Sequence, residues 1–402
     1  MKTTKEIYTM KYRSFGKLEW QASALGFGCM RFPTTDGIAG SDQIDEKEAR
    51  RMLYRAIEGG VNYLDTAYPY HREQSEKFLG RALQGGWREQ VRLATKLPQW
   101  LVDEPAKFDL LLNEQLDRLQ TDHIDFYLIH ALDKNSWKKM DEFDVLRWAE
   151  KRLAGGSIAR LGFSFHDDFD AFKTIVDAYD WDFCQIQYNY MDIENQAGIQ
   201  GLHYAAQKGL AVVVMEPLLG GRLAVHPPAE VQTIWDSAPV KRTPADWALQ
   251  WLWHQPEVSL VLSGMSTMQQ VEENLISASA SKVGSLSATD EAIVARVRET
   301  FNQMCLVACT SCQYCQPCPS ELNIPLMFEL YNSGHMYGVL EEVRKDYAHY
   351  IPKGQRADQC ARCRECEDKC PQHLPICDLL EDVHRVLGTE MAYPVRIKKP
   401  SF

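Results

Sequence analysis

Residues 61–98 read VNYLDTAYPYHREQSEKFLGRALQGGWREQVRLATKLP. Two short apolar runs, Val61–Ala67 and Val91–Leu97, flank a stretch from Glu73 to Leu83 in which apolar residues recur at helical spacing. Gly, Pro and Asp punctuate the joins. Such a pattern predicts a strand, a crossover helix and a second strand parallel to the first, because only a long crossover returns a chain in the same direction.

The alternation continues on both sides. Strands are expected over Ala24–Met30, Ile124–His130, Ala159–Phe165, Phe183–Asn189, Ala211–Pro217 and Val258–Gly264. Helices are expected over Asp45–Glu58, Pro105–Leu119, Asp141–Leu153, Asp168–Tyr179, Ala197–Gln207, Thr243–His254 and Met268–Ser281. Eight strands, each followed by a helix, close most simply into an α/β fold of the (β/α)8 TIM barrel type, which commonly takes about 250 residues. A doubly wound sheet would lead with a glycine-rich phosphate turn, and no G-x-G-x-x-G follows the first strand. Upstream, Met10–Ala22 alternates polar and apolar around Phe15-Gly16-Lys17 and reads as a hairpin able to plug the barrel floor.

The 402 residues exceed one barrel, and the cysteines say where the remainder begins. Ten of the twelve lie between Cys305 and Cys377. Residues 1–285 are therefore expected to form the barrel, 286–304 a linking helix, 305–385 a small mainly helical cysteine-rich domain and 386–402 a tail. Hydrophobic residues at 45% and charged residues at 25% are enough to build a sizeable core. A net charge of −11 without a dense basic stretch argues against nucleic acid or an anionic membrane as partner. No apolar run has the length of a membrane span, and the first residues lack a signal peptide's apolar centre, so a cytoplasmic location is expected. A small-molecule substrate suits this balance.

Barrels of this kind do their chemistry at the C-terminal ends of strands. Asp65, Tyr70, Lys96 and His130 end four apolar runs or stand just past them. Any one of them alone reads as a hydrogen-bonded rim group, but their conjunction is another matter. At these residues, and in strand order over roughly the first 280 residues, the chain resembles the aldo-keto reductase family. The resemblance implies that Tyr70 is the general acid, that Lys96 and Asp65 tune it, and that His130 orients a carbonyl. The nearby ammonium is expected to lower the phenol from its ordinary pKa of about 10. The implied reaction is hydride transfer between NADP(H) or NAD(H) and an aldehyde, ketone or alcohol.

The same resemblance implies that Ser164 and Gln185 hold the nicotinamide carboxamide and that Met215 lies under the ring, where an interior barrel layer is the alternative for Gln185 and Met215. Pro217, Leu218, Gly220 and Arg222 are similar to the family's pyrophosphate loop. The turn at Ser263–Thr267, with Gly264 and Ser266, is similar to its adenosine-phosphate loop, and Asn274 matches an adenine-side residue. Gly264 and Gln270 stand where many relatives carry the Lys and Arg that clamp a 2′-phosphate, which leaves the choice of dinucleotide open.

Downstream, CTSCQYCQPCP (Cys309, Cys312, Cys315, Cys318) pairs with CARCRECEDKCP (Cys360, Cys363, Cys366, Cys370). The second run is the C-x2-C-x2-C-x3-C-P pattern of two-cluster ferredoxins, in which the fourth Cys ligates the other cluster. Two 4Fe-4S clusters follow, one on Cys309, Cys312, Cys315 and Cys370, the other on Cys360, Cys363, Cys366 and Cys318. Zinc, which favours two C-x2-C pairs per site, fits the triplets less well. Cys305 and Cys377 fall outside both runs and read as small buried hydrophobes. Helices expected over Pro325–Asn332 and Gly338–Tyr350 make the module resemble alpha-helical ferredoxins, and the whole chain resembles the iron-sulfur subgroup of aldo-keto reductases. The alternative function is electron exchange between the clusters and a ferredoxin or flavoprotein partner.

Overall fold

The computed structural model describes residues 9–389 and 391–394. The first eight residues and the end of the expected tail, 395–402, lie outside them. A β-hairpin opens the described chain, with β1 (Tyr12–Phe15) and β2 (Leu18–Ser23) antiparallel. Eight parallel strands follow: β3 (Leu25–Gly28), β4 (Tyr63–Asp65), β5 (Arg92–Leu97), β6 (Ile124–Leu132), β7 (Ile158–Phe165), β8 (Phe183–Gln187), β9 (Ala211–Met215) and β10 (Val258–Gly264). They form a closed barrel in that order, with β10 pairing β3. The (β/α)8 expectation is met, and each expected strand is present.

Local chemistry sets the helix starts. Asp45, Asp168 and Thr267 accept hydrogen bonds from backbone amides of the first turns of their helices, as capping residues do. One helix departs from expectation. In place of Asp141–Leu153 the chain forms Lys134–Glu142 and Val145–Ala154, divided where Asp144 takes a left-handed φ of 59°. The earlier start comes from Asp133 and Ser136, whose side chains cap each other's backbone amides in a reciprocal box.

The hairpin seals the floor of the barrel. Phe15, fully buried, packs with Ala22 against Tyr63, Ala94, Phe126, Phe183, Ala211 and Leu260, its ring 5.0 Å from that of Phe126 and 5.3 Å from Trp20. Gly16 makes the turn at φ 55°, and a Cβ there would lie 2.4 Å from the Ala211 amide nitrogen, so no other residue fits. Truncating Phe15 to Ala is expected to cost about 3–5 kcal/mol, read as a lower midpoint for the barrel's urea transition followed by tryptophan fluorescence.

Two compact units divide the chain. The first comprises the residues up to Gly220 with Ala245–Ala288, and the second comprises Gly221–Pro244 with the residues from Thr289 on. The segment 221–244, expected within the barrel, thus groups with the cysteine-rich region. Its contacts explain this: Arg222 and Arg242 face Asp346 and Asp290 at 3.8 and 3.5 Å. The second unit is mainly helical, with Ala288–Gln303, Ile324–Met336, Leu340–Tyr350 and Ile376–Val383 as its longer helices together with Ala229–Asp236, which the sequence reading did not anticipate. Asn332 ties the entry to the cysteine loops by accepting from the Leu306 and Val307 amides and donating to the Val307 carbonyl. No helix among the described residues is long and apolar enough to cross a membrane.

Candidate active site

The C-terminal ends of β4, β5 and β6 bring the four strand-end residues together. Lys96 Nζ, fully buried on β5, donates to Asp65 Oδ1 at 2.7 Å, to the Thr66 carbonyl at 2.7 Å and to the Tyr70 hydroxyl at 3.4 Å. It also lies 4.9 Å from the centre of the Tyr70 ring. The His130 ring stands edge-on to that ring with centroids 6.4 Å apart, and the Trp100 ring centre lies 5.0 Å from that of His130. His130 does not end its strand, because β6 runs on to Leu132 through a break in register. At that break Ala131 takes φ 50°, held by Ser164 Oγ, which accepts its amide at 2.7 Å. Ser164 thereby fixes the backbone that aims the imidazole.

Burial governs the proton affinities. It pushes the Tyr70 phenol above its ordinary value, while Lys96 pulls the other way and loses. The expected lowering by the ammonium is therefore corrected: the lysine's charge is largely engaged by Asp65, and a buried phenol resists becoming an anion. For Lys96 itself, burial acts downward, but Asp65 and Tyr70 outweigh it and hold the ammonium above its usual range. Burial also raises the Asp65 carboxyl, with Lys96 opposing. His130 is driven well below the ordinary imidazole value by burial, then by Lys96 and His166. It is neutral near pH 7. A protonated phenol, a charged lysine and a neutral imidazole therefore meet at one point.

The turn after Tyr70 is strained and pinned. His71, Arg72 and Glu73 take successive left-handed φ values of 51°, 48° and 68°, a conformation costing about 1–3 kcal/mol per non-glycine residue. His71 is buried and uses both ring nitrogens, Nδ1 with the Ser41 carbonyl at 2.7 Å and Nε2 accepting from the Phe32 amide at 3.1 Å. Beneath, buried Glu76 accepts from Thr95 Oγ1 and Gln115 Nε2, and Gln115 also donates to the Lys96 carbonyl. Sequence reasoning missed His71 and Glu76 as supports. The only signal was their place one and six residues after Tyr70, which does not distinguish a pin from a solvated turn.

Ser164, Gln185 and Met215 stand on adjoining strands β7, β8 and β9. Gln185 Nε2 makes a long contact of 3.5 Å to the Met215 sulfur, while its buried Oε1 has no partner. A buried unpaired amide oxygen is costly unless a ligand donates to it. Pro217 and Leu218 lie in a turn bounded by left-handed residues Glu216, Leu219 and Gly220, and Arg222 lies in the second unit. Gly264 ends β10, and Ser266 leads into helix Met268–Ser279. Gln270 folds back there, accepting from the Ser266 and Thr267 amides at 2.7 and 3.2 Å. Asn274, buried, donates to Ser263 Oγ at 3.0 Å.

In the second unit, Cys309, Cys312, Cys315 and Cys370 line one pocket with Ile324, Pro325 and Phe328, which is the first cysteine set expected from the sequence. Of the second set, Cys366 is buried and Cys363 exposed. Cys377 is buried on helix Ile376–Val383, as expected of a small core hydrophobe, and its thiol also lies against Cys360 and Cys366. No three His, Cys, Asp or Glu side chains among the described residues converge as they would on a single metal ion.

Comparison with known proteins agrees with this geometry. The family model for the aldo/keto reductase family matches residues 24–290. The chain belongs to the aldo/keto reductase family. A 4Fe-4S dicluster domain model matches residues 308–374, which makes this aldo/keto reductase an oxidoreductase with an iron-sulfur module. Similar proteins include the uncharacterized oxidoreductase YrpG of Bacillus subtilis, 30% identical over 53% of this chain and 68% of its own length. L-galactose dehydrogenase of Arabidopsis thaliana is 25% identical over 66% of this chain and 87% of its own length. Among solved structures, the holo form of aldo-keto reductase AKR11C1 from Bacillus halodurans is 26% identical, with a TM-score of 0.59 over 72% of this chain and 96% of its own. This aldo/keto reductase shares its fold with that solved structure.

Proposed function

We propose that this aldo/keto reductase interconverts an aldehyde or ketone and its alcohol, using a nicotinamide dinucleotide. The observation that carries the reading is the Lys96 ammonium, which bridges Asp65 and Tyr70 beside a neutral His130. Bound NADPH or NADH would supply the hydride. Tyr70 donates the proton to the developing alkoxide, a role for which a phenol kept protonated by burial is suited. His130 donates a hydrogen bond to the carbonyl oxygen and so orients it. Lys96, held charged by Asp65, stabilises the phenolate left behind. The fit of a nicotinamide is supported by the orphaned Gln185 Oε1, placed to accept from its carboxamide. Transfer of deuterium from labelled nicotinamide to the alcohol carbon, on a panel of aldehydes, tests the reading; label appearing only in solvent overturns it.

The pH dependence follows from the protonation states. Reduction needs the acid form of Tyr70, present below its pKa in the folded protein and lost as pH rises through that value. Because burial raises that pKa, kcat/KM for reduction is expected to hold up to at least about pH 10. His130 is lowered well below its ordinary value, so no inflection at the usual imidazole pKa of about 6.5 is expected. A steady-state profile across this range checks both limbs.

For the second unit, we assign Cys309, Cys312, Cys315 and Cys370 to one 4Fe-4S cluster and Cys360, Cys363, Cys366 and Cys318 to another. The shared pocket of the first four thiols supports the first assignment. The spacing of the second run, with its Pro-flanked last Cys crossing to the other cluster, supports the second. The clusters would hold this module together.

A further inference from the structure

Gly220, in the turn after β9, and Gly264, the last residue of β10, share a neighbour. A Cβ on Gly264 would lie 3.0 Å from Arg31 Cδ, 3.2 Å from Cγ and 3.3 Å from Cβ. One on Gly220 would lie 3.5 Å from Arg31 Nη2 and 3.8 Å from Glu216 Oε2. The Arg31 stem therefore lies across the Gly264 backbone, and its guanidinium reaches the turn that ends at Gly220. The Arg31 carbonyl accepts from Ser266 Oγ at 2.8 Å, which ties the residue to the start of helix Met268–Ser279. Its guanidinium makes no hydrogen bond or ion pair among the described residues, although Arg31 is half-buried.

We propose that Arg31 is the cation that grips the pyrophosphate of the bound dinucleotide. The inference rests on the dinucleotide reading above. β9 and β10 are the seventh and eighth strands of the barrel, and the loops after those strands, with a helix N-terminus, are where such barrels commonly seat phosphate. A phosphate there meets the Glu216 carboxylate, which repels it, so a compensating charge is needed. An uncommitted guanidinium supplies it and can bind two phosphate oxygens at once. Glycine at 264 belongs to the same device, because any side chain there would occupy the space of the Arg31 stem. The guanidinium reaches Gly220, while the Gln270 carboxamide oxygen is taken up by the Ser266 and Thr267 amides at the start of its own helix. Arg31 thus acts on the group that NADH and NADPH have in common.

Calorimetric titration of full-length protein, purified with its clusters, with NADH and NADPH tests this. Arg31→Gln is expected to weaken both by a similar factor, about tenfold to a hundredfold for a lost charge-assisted bond, and to flatten the salt dependence of binding. Arg31→Lys should restore part of the affinity. Gly264→Ala should displace the stem and weaken both dinucleotides while Arg31 remains, and the double variant Gly264→Ala with Arg31→Gln should be no worse than Arg31→Gln alone. Unchanged affinities in Arg31→Gln, or weakening confined to NADPH, overturn the proposal while leaving the dinucleotide reading intact. Wild-type protein that binds neither dinucleotide overturns both.

Discussion

Replacing Tyr70 by Phe is expected to lower carbonyl reduction about a thousandfold while dinucleotide affinity stays within twofold of wild type. General acid catalysis contributes about two to four orders of magnitude, and three orders correspond to about 4 kcal/mol of transition-state stabilisation. This substitution is the cleanest available at the site. The Phe ring keeps its packing beside His130 and under Lys96, and Lys96 retains Asp65 Oδ1 and the Thr66 carbonyl as partners. Removing Lys96 or Asp65 instead would strand a buried charge at a cost of about 3–5 kcal/mol, so lost activity would be confounded with lost stability. Steady-state rates and a fluorescence titration of the same preparation suffice. Full turnover in Tyr70→Phe would end the general-acid assignment.

The second large effect concerns iron. Cys309→Ala is expected to remove about half of the iron and labile sulfide of anaerobically purified protein, Cys360→Ala the other half, and the pair all of it, since a cubane needs its full set of thiolates. The module around the clusters is small, and small units depend on such staples for stability. Loss of both clusters should therefore open residues 305–385 to proteolysis, while Tyr70-dependent reduction in the barrel persists. Stoichiometric zinc without sulfide would refute the cluster assignment. Turnover that stops without clusters and returns on adding reduced ferredoxin would favour the electron-transfer alternative.

Much of the barrel was legible because its signals are local. Strands buried on both faces read as apolar runs, helices as amphipathic repeats, and capping residues mark the starts. Asp65, Tyr70, Lys96 and His130 stood out since a charged or polar group ending a buried run is conspicuous, and eight cysteines in two runs are more so. The split of one expected helix at Asp144 was hidden because the Asp133 and Ser136 box is a short signal inside a polar stretch. Cys377 was legible as a buried helical hydrophobe, and is one, but only folding sets its thiol against Cys360 and Cys366. The grouping of 221–244 with the second unit depends on charges far along the chain, such as Asp346 opposite Arg222.

The order of strands and helices, the four candidate catalytic groups and the iron-sulfur spacing are set by residue type and short-range periodicity, and the amino-acid sequence determines them unaided. Barrel closure decided the remainder. It sank the Tyr70 hydroxyl deep enough for burial to outweigh the lysine, left Gln185 Oε1 without a partner, and laid Arg31 across Gly264 from the far end of the chain. Proton affinity, unpaired polarity and the path of a long side chain all depend on which distant segments exclude water at a point, and no local pattern encodes that.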